Sequence, residues 1–263
     1  MEINYLENYY NNYEEDTRLQ SRHGQIEFIT SMKYIEQYLE KGAKILDLGA
    51  GTGRYSLALS RKGYNVTAVE LVQHNIDVFK SLLKEDDNIS INQGNAVDLS
   101  AYLDASFDAV LIFGPMYHLY SKEEKTRVLN EAKRVIKDDG YIFAAYCMNE
   151  PTVIQWGFGN DGINVIDALK NNMFKEGFKC ISEPKDIFEL VRVEDIEELN
   201  KICGLYRVKL IGTDMFAHYI KDTIDNWTDE VYKIYLEYHF SICERADIIG
   251  LSNHTMDILK KHK

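Results

Sequence analysis

Cysteine is scarce in this chain, and the four that exist, Cys147, Cys180, Cys203 and Cys243, lie far apart with no C-x-x-C spacing. A disulfide framework or a cysteine-based metal centre therefore has no support, and no metal is expected. Basic charge is also in short supply. Thirty lysines and arginines face 42 aspartates and glutamates, a formal net charge of -12. A protein that grips nucleic acid gains much of its affinity by neutralising phosphates with a basic face. The only dense basic run here, Lys260-Lys261-His262-Lys263, reads as a solvated tail, which counts against nucleic acid as a partner. No apolar run reaches the roughly 20 residues that span a bilayer. The start, Met1-Glu2-Ile3-Asn4-Tyr5, has neither the basic head nor the apolar middle of a signal peptide. A cytoplasmic protein without a membrane partner is expected. Repeats, low-complexity tracts and flexible linkers are absent too, and 263 residues suit one domain with insertions better than two full domains.

What is present begins at Lys44-Ile45-Leu46-Asp47-Leu48, an apolar strand running into a loop with glycine at positions 49, 51 and 53. Junctions of this kind sit at the carboxyl edge of a parallel sheet, where small residues and backbone N–H groups let a polar ligand approach the main chain. A nucleoside-bearing cofactor is the first expectation. The dinucleotide fingerprint G-x-G-x-x-G would need glycine at position 54, where Arg54 stands instead.

Strand and helix signals alternate from there. Arg54 to Lys62 reads as a helix that Gly63 stops, and Tyr64 to Glu70 as a strand whose final carboxylate lies where an acid can accept both hydroxyls of a ribose. A helix from Val72 to about Glu85 leads to a strand at Ile89 to Asn92 and then Gly94-Asn95-Ala96. Phe107 to Phe113 is nearly all apolar, as a central parallel strand buried on both faces should be. Ser121 to Glu124 forms a capping box for a helix whose Leu129, Ala132 and Ile136 share a face, with Asp138-Asp139-Gly140 closing it before a strand from Tyr141 to Cys147. This alternation predicts an α/β fold with a doubly wound, mostly parallel sheet.

Asp-x-Gly-x-Gly-x-Gly at Asp47 to Gly53 resembles the first motif of the Rossmann-like S-adenosylmethionine-dependent methyltransferases, and the resemblance runs from Ala43 to Cys147, including Glu131 to Gly140 before the fifth strand. Further on, Val193 to Leu199 with Gly204, Tyr206 to Gly212, and Ser252 to Leu259 look like the family's closing helix and its sixth and seventh strands. The resemblance implies a seven-stranded sheet with helical cap insertions and S-adenosylmethionine as cofactor. It implies that Asp47, Gly49, Ala50, Gly51 and Gly53 bend around the amino acid end, that Glu70 and Leu71 hold the ribose, and that Asn95 and Ala96 meet the adenine, with asparagine where the family often carries an acid. Phe113 and Gly114 leave the fourth strand beside the same site.

Three segments lie outside the core and are expected to build the substrate side. Residues 1–42 form a helical flap in which Tyr5, Tyr9, Tyr10 and Tyr13 either pack or, with Arg18, close over the cofactor; Phe28, Met32, Ile35 and Leu39 fall at helical spacing. Residues 148–191 and 214–250 are the insertions, the second holding a helix from Thr228 to Ala246 with Val231, Tyr235, Tyr238 and Ile242 on one face, while 192–213 and 251–263 complete the core 43–147. Methyl transfer from a sulfonium is an in-line displacement that depends on alignment, with a base added for a protonated acceptor. His118, with Tyr117 beside it at the fourth-strand exit, is the candidate. The expected reaction is methyl transfer to a small molecule; the alternatives are an RNA or protein methyltransferase, or a module that binds the cofactor without turnover.

Overall fold

The computed structural model describes residues 3–12, 21–159 and 162–263. Strands β1 (Lys44–Leu48), β2 (Asn65–Glu70), β3 (Ile89–Gln93), β4 (Phe107–Ile112), β5 (Ile136–Met148), β6 (Tyr206–Gly212) and β7 (His254–Lys260) form one sheet in the order β3-β2-β1-β4-β5-β7-β6. All neighbours are parallel except β7, which runs antiparallel to both β5 and β6. An eighth strand of two residues, Leu190–Val191, pairs with the end of β5. The chain reverses its direction of winding between β1 and β4, so a crevice opens at their carboxyl ends, the usual ligand position in such sheets.

Alternation along the central strands assigns each face its helices. Leu46, Leu48, Val110 and Ile112 point to one side, under α5 (Lys122–Val135) and α7 (Val193–Cys203). Ile45, Ala109, Leu111 and Phe143 point to the other, where Met32 and Ile35 of α2 (Arg22–Tyr38), Leu59 of α3 (Arg54–Arg61) and Ile242 of α8 (Asp229–Ile242) meet them. Among the described residues, the other helices of eight residues or more are α1 (Ile3–Asn12), α4 (Gln73–Leu82) and α6 (Ile163–Lys170). Among the described residues no helix is long and apolar enough to cross a membrane.

The end of one helix and the buried face of another depart from the sequence expectation. Helix α5 stops at Val135, not at Asp138-Asp139-Gly140, because the backbone N–H groups of Ala105 and Ser106 take the carbonyls of Arg134 and Val135 and draw Ile136 into register with Phe107. Tertiary hydrogen bonds thus end the helix before its local stop signal. On α8 the inward row is Tyr232, His239 and Ile242, whereas Val231 and Tyr238 of the expected face are exposed. His239, fully buried, hydrogen bonds through Nε2 to Thr30 Oγ1 of α2 at 2.8 Å, so a polar residue marks the face that the apolar pattern alone puts one step away.

The three loop glycines all hold positive φ, with different surroundings. A Cβ on Gly53 would fall 2.3 Å from the ring of Phe79, and one on Gly49 2.7 Å from Pro115 Cδ, but nothing lies within 4 Å of the corresponding point on Gly51. Gly53→Ala should cost about 2–4 kcal/mol in denaturant unfolding, from overpacking added to the left-handed backbone, whereas Gly51→Ala should cost only about 1–2. Equal losses at the two positions would show that the loop packs differently.

Candidate active site

A cavity opens at the carboxyl ends of β1, β2 and β4. Its floor is the glycine loop, where the N–H groups of Gly49 and Ala50 hydrogen bond to Val69 O and hold the turn against β2. Asp47 lies beneath it, 2% exposed, and accepts from the Ser56 hydroxyl at 2.6 Å. Burial pushes the Asp47 carboxyl up to about 6; the Ser56 bond opposes this and the nearby Glu70 charge adds to it.

Glu70 accepts hydrogen bonds from three separate groups in the site. One carboxylate oxygen accepts from Gly51 N–H at 2.8 Å, and the other from Val72 N–H at 2.9 Å and the Asn75 amide at 3.3 Å. The glycine loop, the turn after β2 and the start of α4 are therefore tied to one side chain. Across the cavity, Asn95 Oδ1 accepts from Val97 N–H at 3.2 Å, an Asx turn that fixes the loop after β3.

The exit of β4 supplies the opposite wall through Phe113, Gly114, Pro115, Tyr117 and His118. His118 is 5% exposed. Its Nδ1 lies 2.9 Å from Ile187 O, which can only accept, so Nδ1 carries the proton. Nε2 is then the bare acceptor, and the Tyr10 hydroxyl donates to it at 2.8 Å. Burial lowers the imidazole to about 4, against a small opposing effect of the Ile187 bond, so the ring is neutral around pH 7. The Tyr117 hydroxyl donates to Phe113 O instead of pointing its proton into the cavity.

Two segments distant in sequence complete this wall. Helix α1 lies against α4 and the turn at Pro184–Asp186, placing Leu6 and Tyr10 on the cavity. The stretch before the eighth strand fastens to the β4 exit through the Glu189 N–H bond to Tyr117 O and the ion pair of Glu189 with Lys125, and Phe188 packs on Tyr9, Tyr117 and His118. Ile187 holds a φ of 66°, a rare conformation for a β-branched residue and a marker of local strain beside the imidazole it orients.

Of the residues singled out in the sequence, Asp47, Gly49, Ala50, Gly51, Glu70 and Leu71 line the cavity, as do Asn95, Ala96, Phe113, Gly114, Tyr117, His118 and Tyr10. Gly53 does not; it caps α3 and packs on Phe79. Arg18 and Tyr13 lie outside the described residues. Glu27, Arg54 and Tyr55 also reach the cavity, with the Arg54 guanidinium 4.5 Å from the centre of the Phe28 ring. Nothing in the pattern of α2 distinguishes Glu27 from its solvated neighbours, and the Ile187 contact joins positions 69 residues apart.

Residues 46–144 match the family pattern described as a methyltransferase domain. The chain is 26% identical over 204 residues to YqeM of Bacillus subtilis, a protein named as a methyltransferase, covering 69% of this chain and 82% of that one. It is 30% identical over 182 residues to the ubiquinone biosynthesis O-methyltransferase of Rickettsia akari, covering 68% and 67%. Its fold is similar to that of a Thermotoga maritima S-adenosylmethionine-dependent methyltransferase, with a TM-score of 0.60 at 17% identity over 98% of this chain and 99% of that one. With the glycine-loop cavity at the β1–β4 switch point, these likenesses place the chain in the S-adenosylmethionine-dependent methyltransferase family, as an enzyme of that family.

Proposed function

We propose that the enzyme methylates a small-molecule acceptor, with S-adenosylmethionine held across the β1, β2 and β3 ends and the acceptor enclosed under α1. The residues fit that cofactor. The point where a Gly51 side chain would stand is open, and two neighbouring buried carboxylates, Asp47 and Glu70, face a site that suits an ammonium group and a ribose diol. Asp47 and the glycine loop would hold the amino acid end, Glu70 with Leu71 the ribose, and Asn95 with Ala96 the adenine. Bound there, the cofactor supplies a methyl group on an electrophilic sulfonium.

The chain's own contribution is alignment, dryness and one proton acceptor. Ile187 fixes the His118 tautomer, leaving the Nε2 lone pair directed at Tyr10. An acceptor N–H or O–H that displaces the Tyr10 hydroxyl finds this lone pair ready to take its proton, and one that donates to the Tyr10 oxygen gives its proton there as Tyr10 passes its own to Nε2. Helix α1 acts as a flap that excludes water while that contact lasts. The single observation that carries this reading is the Tyr10–His118 hydrogen bond, because it joins the flap to the proposed base inside the cavity. A net charge of -12 favours a metabolite over RNA as the acceptor. The Rickettsia relative, named for ubiquinone biosynthesis, supports the same substrate class.

The low proton affinity of His118 has a defined sign. The neutral ring stabilises the docked flap fully above the ordinary histidine value of about 6.5, and that contribution is lost as pH falls from there through about 4. An NMR titration of the His118 ring should give a midpoint near 4, and deleting residues 1–12 should move it toward about 6.5 by restoring water. A midpoint that ignores the deletion would separate α1 from the site.

Turnover is measured as release of S-adenosylhomocysteine in the presence of a metabolite pool. His118→Ala should lower it by about 10²- to 10⁴-fold with cofactor affinity kept. Tyr117→Phe should cost less than about tenfold, since the hydroxyl serves the Phe113 carbonyl and the ring remains. No product from any metabolite fraction, with product from RNA or protein, would overturn the small-molecule assignment.

A further inference from the structure

A second constellation sits at the same edge of the sheet, beyond β5, where β6 leaves the sheet and β7 enters it. Asp214 follows β6, His218 lies on the next turn and His254 opens β7. One ligand-type atom from each falls within 4.8 Å of the others. Asp214 Oδ2 is 2.6 Å from His254 Nδ1 and 3.3 Å from His218 Nε2, and Glu27 Oε2 from α2 is 3.5 Å from the same His254 nitrogen.

The carboxylate is held in a way that leaves one oxygen for this point. Asp214, with no exposed surface, uses Oδ1 to accept from the Ser252 hydroxyl at 2.7 Å and from His254 N–H at 3.0 Å. Oδ2 is thereby turned toward the two imidazoles. His218 Nε2 is buried and lacks a hydrogen bond among the described residues, although it faces Oδ2. A network built only for hydrogen bonding has no reason to bring that nitrogen in without satisfying it. Atoms bound to one cation at about 2.0–2.2 Å stand about 3.0–3.5 Å apart at tetrahedral or octahedral angles, which the 3.3 Å Asp214–His218 and 3.5 Å Glu27–His254 separations match, while the 2.6 Å Asp214–His254 contact is a hydrogen bond whose proton a cation would replace.

We infer that Asp214, His218 and His254 form a binding site for a divalent transition metal of the zinc class, with Glu27 able to close the coordination. Two imidazoles and one or two carboxylates match the preferences of Zn²⁺, and of other borderline cations, over the all-oxygen sites of Mg²⁺ or Ca²⁺. Ser252 serves as the outer partner that orients the ligating carboxylate. Glu27 also borders the cofactor cavity, so the cation would sit one side chain beyond its acceptor end and tie α2 to the β6 and β7 edges. Cysteine spacing points to no metal because it misses this donor set, spread over positions 27, 214, 218 and 254.

The test is calorimetric titration of the chelator-treated full chain with Zn²⁺, which reads metal binding independently of methyl transfer. One Zn²⁺ per chain should bind at micromolar Kd or tighter, with Mg²⁺ failing to compete. His218→Ala, on a turn outside the strands, should weaken binding by at least about 100-fold while S-adenosylhomocysteine binding reports an intact fold. His23→Ala should leave Zn²⁺ affinity unchanged, although its ring lies 5.3 Å from that of His218. No Zn²⁺ binding by the wild-type chain, wild-type affinity in His218→Ala, or an equal loss in His23→Ala would each overturn the inference.

Discussion

The site depends on where the Glu70 carboxylate spends its hydrogen bonds. A buried carboxylate needs hydrogen-bond donors, and Glu70 has three from three places in the chain: Gly51 N–H, Val72 N–H and the Asn75 amide. Bonds of that kind to a charged group contribute about 1.5–3 kcal/mol each, enough to set the path of a short loop. The loop accordingly bends back to β2, Gly51 presents bare backbone to the cavity, and the end of β1 is left open above Asp47. Burial raises the Asp47 carboxyl, and the nearby Glu70 charge adds to that cost. A positively charged ligand group would relieve it, so the site favours a ligand that carries one.

The other half of the cavity is assembled from insertions. Helix α1 and the stretch around Ile187 and Phe188 come from opposite sides of the core sequence, yet both converge on His118. Their contacts combine aromatic edges, Tyr9 on Phe188 and Tyr10 on His118, with hydrogen bonds that join Tyr10 and Ile187 to the His118 ring. The β1, β4 and β5 core beneath this wall is packed on both faces of the sheet. The glycine-loop cradle thus belongs to the core, and the wall around His118 draws on segments outside it.

The same division governs what could be read from the sequence. Elements buried on both faces announce themselves: β4 as an apolar run, β1 with its glycine loop, and Glu70 by its place at the end of β2, because local pattern and tertiary position agree there. Legibility fails where distant partners decide. Asp138-Asp139-Gly140 carries a helix stop signal, but the N–H groups of Ala105 and Ser106 end α5 earlier. His239 lies on the buried side of α8 although its residue type suggests the surface. The Ile187 carbonyl that fixes His118 comes from a residue with no polar side chain and a backbone conformation its type disfavours, so no periodicity or motif could have selected it.

The central claim is that Glu70 both shapes the loop and holds the cofactor's ribose, so that its carboxylate contributes to binding beyond its structural bonds. Calorimetric binding of S-adenosylhomocysteine to the wild-type chain, Glu70→Gln and Glu70→Ala tests this directly, with circular dichroism confirming the fold of each. The wild type should bind, and both variants should lose about 1–3 kcal/mol of binding free energy, since a neutral amide presents only one acceptor oxygen and alanine none. Undiminished affinity in folded Glu70→Ala would contradict the account.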